Sequence, residues 1–177
     1  ASPTFTGTPA APTPAAAANS TKIATTAYVD NAILSQNFKE AARVATTATL
    51  VGTYANGASG VGATFTYTAT GTNDIDGVTL VLGDRVLLKN QTTDFQNGVY
   101  TVTTAGALGI AGILTRATDA NQAADFKTGD SLFVTAGTTL TSTTWAYTGI
   151  DSPTMGTTSL TFVQVAGQGS FTGGSGI

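Results

Sequence analysis

Alternation of apolar and polar side chains with a period of two dominates the chain from about residue 43 onward. Segments such as GATFTYTAT (62–70) carry an apolar residue at every second position, with Thr or another small residue between. This spacing predicts strands with one buried face. Eight segments show the pattern: RVATTATL (43–50), GATFTYTAT (62–70), DGVTLVLGDRVLLK (76–89), NGVYTVTT (97–104), ILTRAT (113–118), DSLFVTAG (130–137), TTWAYTG (143–149) and LTFVQVAG (160–167).

Turn residues separate these segments. They are Asn56-Gly57, Asp76-Gly77, Gly83-Asp84, Asn97-Gly98, Gly129-Asp130 and Gly149. Short strands with such turns between them are typical of antiparallel sandwiches and barrels. We therefore predict a mainly β chain with an antiparallel β-sandwich or barrel-like module over residues 41–166. A Gly/Ser-rich linker to a further segment is predicted over residues 167–177.

Two of the predicted strands resemble each other at an offset of 46 residues. GDRVLLKNQTT, from Gly83, aligns with GDSLFVTAGTT, from Gly129. Apolar positions coincide at Val86/Leu132, Leu88/Val134 and Val99/Trp145. A duplicated strand-loop-strand unit would explain the match, and so would chance in a chain this rich in Thr.

The N-terminal residues follow a different pattern. Residues 1–20 contain four of the five prolines and predict an extended strap, because proline lacks an amide donor and favours an extended predecessor. Asn19, Ser20 or Thr21 can then cap a helix over residues 21–38. The apolar stripe of this helix consists of Ile23, Ala27, Val29, Ile33 and Leu34. An isolated helix of this length is marginal in water, so the stripe packs either on the β module or, as we favour, in a parallel bundle of copies.

Composition narrows the classes of function. Thr accounts for 37 of the 177 residues and charged residues for only 10%, so the outward faces of the strands carry hydroxyl groups. The absence of Cys and His excludes thiol chemistry, disulfides, Cys/His zinc sites and His-based triads. A net charge of −3 without a basic cluster argues against a nucleic-acid partner. No apolar run approaches the ~18 residues of a membrane-spanning helix, so no membrane insertion is predicted.

The N-terminal segments resemble a linker repeat of tailed-bacteriophage tail fibres. SPTFTGTPAAPTP (2–14) precedes STKIATTAYVDNAI (20–33), as an SPTFTGTPTAPT strap precedes TQIATTAFV and a helix in that repeat. Downstream stretches such as IDGVTLVLGDRVLLKNQTT (75–93) and GTTSLTFVQVAG (156–167) resemble a module of phage and prophage tail fibres. The connections at Val51–Asn73 and 103–117 are longer than is usual in that module.

This resemblance implies a homotrimeric virion appendage. The helix would form a three-chain bundle, and the strap would wrap or cross between chains. The implied partners are sister copies and other virion tail or fibre proteins, and the implied location is the virion. A receptor-binding tip that touches host glycan or protein through the loops Val51–Asn73 and Ala105–Ile113 is the first alternative, and a tail-spike glycan hydrolase is the second.

Acidic residues in turns are the candidate chemical groups. NDIDG (73–77) has the acid spacing of part of a calcium loop but lacks the further oxygen ligands and the distal Glu. It predicts a tight turn in which Asp and Asn bond their own backbone. Asp84 and Asp130 each follow Gly and predict equivalent turn residues, with Asp84 pairing with Arg85 or Arg116. The alternative is a carboxylate pair that cleaves a glycosidic bond.

Three larger side chains complete the candidates. Arg116 is predicted to pair with Asp119 and orient a loop, with receptor contact as the alternative. Trp145 and Tyr147 lie two residues apart and therefore share one face of a strand. We expect them to fill the core, and the alternative is a receptor contact that stacks on a sugar ring. We predict no enzymatic activity, cofactor or metal.

Overall fold

The computed structural model describes Gly7, residues 10–15, residues 24–27, Val29 and the continuous stretch 38–167. The chain divides into two compact units, Ala1–Asn37 and Phe38–Ile177. The second unit contains all of the strands that the structure describes, and the prediction of a mainly β chain is confirmed.

In the first unit, residues 10–15 have no regular secondary structure, whereas Thr26, Ala27 and Val29 are helical. The amide of Val29 donates to the carbonyl oxygen of Thr25 at 3.0 Å, the four-residue spacing of an α-helix. Ala27 and Val29 of the predicted stripe are exposed. Its other members, Ile23, Ile33 and Leu34, lie outside the described residues, so the helical bundle stays a prediction.

The second unit consists of short strands in three sheets. The strands are β1 (Val44–Ala45), β2 (Gly52–Ala55), β3 (Thr64–Thr70), β4 (Asp74–Ile75), β5 (Val78–Thr79), β6 (Arg85–Leu88), β7 (Gly98–Thr104), β8 (Ala111–Arg116), β9 (Ser131–Val134), β10 (Thr143–Tyr147) and β11 (Phe162–Ala166). The largest sheet has the order β1-β6-β7-β8-β3-β2, the second has the order β11-β10-β9, and β4 and β5 form a separate hairpin.

Two three-stranded meanders have the same plan. In the first meander (β6–β7–β8) Val86 lies opposite Tyr100, and in the second meander (β9–β10–β11) Leu132 lies opposite Trp145. The loop between the first two strands covers residues 89–97 in the first meander and 135–142 in the second. Because the second loop is one residue shorter, Trp145 corresponds to Tyr100. The predicted match of Val99 with Trp145 is therefore off by one residue.

Residues 38–46, which we call the connecting segment, run parallel to the first strand of both meanders. Val44 pairs with Val86 of β6, and Phe38 pairs with Ser131 of β9. The prediction of a purely antiparallel module is therefore wrong at this segment, because alternation along one strand does not specify the direction of its partner. Phe38, which the sequence placed at the end of the helix, belongs to the β unit.

Two apolar clusters occupy opposite faces of the first meander. Val86, Leu88 and Tyr100 face a cluster that the β4–β5 hairpin covers with Ile75 and Leu80. Leu87 and Val99 face the other way, into a cluster formed with the second meander. Members contributed by the second meander include Leu132, Val134, Trp145 and Tyr147. The back face of the first meander thus packs on the front face of the second.

Candidate functional site

Ion pairs fasten the connecting segment to both meanders. The Lys39 Nζ lies 3.3 Å from the Asp130 Oδ2, and the Arg43 guanidinium pairs with the Asp84 carboxylate. Each aspartate follows a glycine with positive φ and accepts a hydrogen bond from the amide three residues earlier, at 2.8 Å for Asp84 and 2.9 Å for Asp130. The prediction of equivalent turn residues is confirmed, whereas the predicted partners of Asp84 are wrong.

The ion pairs of Asp84 and Asp130 define what these carboxylates can do chemically. A glycosidase needs one carboxyl group as acid and a second as nucleophile or base. Here each carboxylate accepts from a backbone amide and neutralises a cation of the connecting segment. Each of the two carboxylates thus holds the connecting segment to one meander.

Arg85 holds a loop next to the connecting segment. Its two terminal nitrogens donate to the two carboxylate oxygens of Asp119 at 3.1 and 3.0 Å, and one of them also donates to the carbonyl oxygen of Glu40 at 3.2 Å. Asp119 is thus the partner of Arg85, and the predicted pair of Arg116 with Asp119 is wrong.

Arg116 is buried, with 2% of its surface exposed. Its guanidinium donates to the carbonyl oxygens of Asn97 at 3.0 Å and Phe95 at 3.2 Å, and it stacks on the ring of Tyr100 at 4.9 Å. It points into the core beside Tyr100, whereas Asp119 lies in the loop that follows β8. Arg116 therefore orders the loop before β7 through backbone carbonyls, and its burial disfavours the alternative of a receptor contact.

Asp76 and Gly77 form the tight turn between β4 and β5. Their φ angles of 48° and 77° suit a type I′ hairpin, which Asp-Gly favours. The tight turn is thus confirmed, but the Asp76 carboxylate does not bond its own backbone. It accepts hydrogen bonds from the amides of Thr139, at 3.0 Å, and Leu140, at 2.7 Å. Asp76 therefore fastens the β4–β5 hairpin to the second meander.

Trp145 and Tyr147 lie in the core, with 9% and 1% of their surfaces exposed. The Trp145 Nε1 donates to the Thr143 hydroxyl at 2.9 Å, and the Lys89 Nζ lies 4.1 Å from the Trp145 ring centroid. The Tyr147 hydroxyl donates to the carbonyl oxygen of Ile150 at 2.9 Å. The expectation that both rings fill the core is confirmed, and their burial disfavours the alternative of an exposed pair that stacks on a sugar.

Burial changes the acid–base behaviour of several side chains. It raises the pKa of the Tyr67 hydroxyl to about 12 and also raises the pKa of Tyr100. Partial burial lowers the pKa of Lys89, against the opposing charge of Asp76. Both tyrosines stay protonated at neutral pH. These shifts therefore report packing.

An exposed apolar surface lies on the side of the second meander that faces away from the first. Phe133 of β9 is 43% exposed, Val163 and Val165 of β11 are 43% and 57% exposed, and Phe38 is 73% exposed. Ser131 pairs with Phe38 and with Ala146, and Ala146 pairs with Val163. Paired residues point to the same side of a sheet, so Phe38, Phe133 and Val163 share one surface, which we call the apolar back face.

The alternation of apolar and polar residues did not predict the apolar back face. Its signal is the run Leu132-Phe133-Val134, in which three apolar residues interrupt the alternation. Such continuous runs are typical of strands that are buried on both faces. Leu132 and Val134 are buried in the core, and Phe133 points the other way.

The loop that joins β7 to β8 has an apolar tip. Leu108 is 99% exposed and Ile110 is 50% exposed. This tip belongs to the predicted contact loop Ala105–Ile113. The other predicted loop, Val51–Asn73, contains β2 and β3 and is therefore largely part of the six-stranded sheet.

Two shallow grooves lie on the β unit. One, of about 390 Å³, is lined by Arg85, Glu40 and threonines that include Thr101 and Thr115. The other, of about 550 Å³, lies between three loops and is lined by residues such as Met155 and Gln122. Across the described residues, no group of three or more His, Cys, Asp or Glu side chains could hold a metal ion.

No helix in the described part of the chain is long and apolar enough to cross a membrane. Searches against protein-family models, curated proteins and solved structures found no match.

Proposed function

We propose that the protein is a structural component of a bacteriophage tail fibre, in which three copies associate through the helix over residues 21–38. The β unit, proposed as a sandwich-like module, would space, stiffen or attach the fibre for host recognition. The proposal is supported by the order of the parts, in which a proline-rich strap and a helix precede a β module, and by the resemblance of SPTFTGTPAAPTP and STKIATTAYVDNAI to the tail-fibre linker repeat.

The path of the chain through the second meander is the observation that carries the proposal. Phe38 enters beside Ser131, the first residue of β9. Ala166, the last residue of β11, pairs with Thr144, which lies opposite Phe133 near the other end of β9. The chain therefore enters and leaves at diagonally opposite corners of this sheet. A module with this path can be joined in series with others along a fibre.

Light scattering of the full chain tests the trimer. We expect three times the chain mass, because a marginal helix and a strap without its own core become stable only when copies bury the stripe together. The double variant Ile33→Asp/Leu34→Asp should lose the trimer, and the matched variant Asp30→Asn should keep it. A full chain that stays monomeric at micromolar concentrations contradicts the proposal.

Electron microscopy tests the location. Gold-labelled antibodies raised against residues 38–167 should mark the tail appendages of purified phage particles. Labelling confined to the capsid, or absent from particles that contain the protein by mass spectrometry, contradicts the proposed location.

A receptor-binding tip is the second candidate, and the exposed Leu108 and Ile110 favour it. An apolar side chain that is almost fully exposed at a loop tip suits contact with a partner surface. The full chain should then bind host cells saturably, and Leu108→Ser should weaken that binding. Binding that Leu108→Ser leaves unchanged excludes this tip as the contact.

A further inference from the structure

We infer that the β unit is a module that resists mechanical tension applied between Phe38, where the chain enters it, and Ala166, where β11 ends. This role goes beyond the proposed function and needs neither the trimer nor the helix, because it belongs to the β unit of a single chain. Three features of the β unit carry the inference: the direction of the connecting segment, the direction of β11, and the bonds that hold the connecting segment.

The connecting segment runs parallel to β9, although the strands of the second meander are antiparallel to one another. Phe38 pairs with Ser131 at the start of β9, and Ala42 pairs with Val134 at its end. Tension on the residue before Phe38 therefore pulls the segment backwards along β9. If the segment were antiparallel, the chain would enter beside Val134, and tension would lift it off β9 from one end.

β11 is pulled in the opposite direction. β9 is antiparallel to β10 and β10 is antiparallel to β11, so β11 points the same way as β9 and the connecting segment. Phe162, at the start of β11, pairs with Tyr147, whereas Ala166, at its end, pairs with Thr144. Tension on the residues after Ala166 therefore pulls β11 forwards along β10. The connecting segment and β11 are thus drawn past their neighbours in opposite directions.

The direction of pulling determines how the hydrogen bonds share the force. Bonds between neighbouring strands run across the strand axis, perpendicular to it in antiparallel pairs and slanted in parallel pairs. A force along the axis strains all bonds of a pair at once, so they must break together. A force across the axis strains the outermost bond first, and the bonds break one after another. Sliding therefore has a higher barrier than peeling, and forced unfolding depends on that barrier.

Backbone hydrogen bonds tie the connecting segment to both meanders. These amide-to-carbonyl bonds, at 2.7–3.0 Å, run from Lys39 to Ser131, from Ala42 to Phe133, from Thr135 to Ala42, from Ala136 to Arg43, from Arg43 to Arg85 and from Thr46 to Leu87. The ion pairs of Lys39 with Asp130 and of Arg43 with Asp84 hold the same segment. Sliding of the segment must break these contacts together.

Force spectroscopy of single full-length chains tests the inference. One attachment is a tag at the N-terminus, and the other is a thiol, which is unique because the native chain has no Cys. Ala166→Cys pulls the strands along their axes. The matched variant Thr148→Cys pulls across them, because Thr148 follows Tyr147, whose amide donates to the carbonyl oxygen of Asp130, at the end of the sheet where Phe38 enters. Both substituted positions are exposed.

We expect the β unit to unfold at a force at least about twofold higher with Ala166→Cys than with Thr148→Cys, at equal loading rates. Unfolding with Ala166→Cys should lengthen the chain by roughly 40 nm, which identifies the event as opening of the β unit. Equal forces in the two geometries overturn the inference. The expected difference in a chain that light scattering shows to be monomeric supports the mechanical role and contradicts the trimer, so the two proposals can fail separately.

A substitution in the connecting segment tests whether this segment carries the force. In the Ala166→Cys geometry, Lys39→Met should raise the unfolding rate at constant force at least about tenfold, because sliding no longer has to break the pair with Asp130. The matched control Lys127→Met changes an exposed lysine outside the segment and should leave the rate unchanged. Equal rates for the two lysine variants overturn the inference.

Discussion

The first and second meanders have the same strand order, the same register between their first two strands and the same glycine–aspartate turn before the first strand. They differ in what surrounds them. The first meander is extended by β3 and β2, covered in front by the β4–β5 hairpin and covered behind by the second meander. The second meander has a free edge at β11 and an uncovered apolar back face in the described chain.

This difference shows that one plan can have two different surroundings. Among the described residues, both faces of the first meander are covered, whereas the second meander is covered on the face that packs on the first. Stability of the β unit therefore depends more on burial at positions such as Leu87 than at positions such as Phe133.

The largest expected effect comes from replacing Leu87. Leu87→Ala should lower the free energy of unfolding by about 3–5 kcal/mol, because it opens a cavity between the two meanders. Phe133→Ala, at the equivalent position, should lower it by less than about 1 kcal/mol in the unassociated chain, because Phe133 is partly exposed there. Urea unfolding measures both. Equal losses would show that the two back faces are covered alike within one chain.

The ion pairs of the connecting segment provide a second contrast. Lys39→Met should lower the free energy of unfolding by about 3 kcal/mol, because it leaves the buried Asp130 carboxylate without its cation. Arg43→Met should lower it by less, about 1 kcal/mol, because the side chain of Arg43 is 39% exposed, against 16% for Lys39, and water screens its pair with Asp84.

A double variant serves as the control for the ion pairs. Lys39→Met/Asp130→Asn also removes the unpaired Asp130 charge. It should therefore recover part of the unfolding free energy that Lys39→Met loses. Unfolding free energies for the two single variants that are equal within error would contradict the difference in burial.

The smallest effect on the free energy of unfolding at neutral pH is expected for Tyr67→Phe. Tyr67 packs against the front of the first meander. Because burial raises the pKa of Tyr67 to about 12 from 10.0, the folded chain holds this proton after the unfolded chain has lost it. The contribution of this proton to the free energy of unfolding is complete below pH 10 and is lost as the pH rises towards 12.

Tyr67→Phe removes this dependence. Its stability at pH 7 should not fall, because the Tyr67 hydroxyl is buried without a hydrogen-bond partner and its removal breaks no hydrogen bond. Above pH 10 its urea midpoint should fall less steeply than that of the native chain. Parallel curves for the two proteins up to pH 12 would contradict the assignment of the shift to Tyr67.

The period-two pattern predicts most of the strands and the direction of their side chains. It places Trp145 and Tyr147 on one face but does not say that this face lies between two sheets. It misses β2, because GTYA does not alternate and Gly52 has no side chain. A Cβ at Gly52 would collide with the Phe65 ring and the carbonyl oxygen of Thr66, so backbone approach and pairing, rather than side-chain pattern, define this strand.

The long-range pairings are beyond local sequence reasoning. Arg116 and Asp119 are close in sequence, yet Asp119 pairs with Arg85 and Arg116 binds backbone carbonyls. The parallel pairing of residues 38–46 depends on which strands come to lie beside them, and an alternating pattern is compatible with either direction. The weak repeat at an offset of 46 residues did predict the equivalence of Asp84 and Asp130, because both keep the same turn.

Hydroxyl-radical footprinting of the native full chain measures the exposure of Phe133 and Leu87 without substitution. When each rate is divided by the rate in the unfolded chain, Leu87 should be oxidised far more slowly than Phe133, because Leu87 is buried between the meanders and Phe133 is 43% exposed. Equal normalised rates at the two positions would mean that the back faces of the two meanders are covered alike.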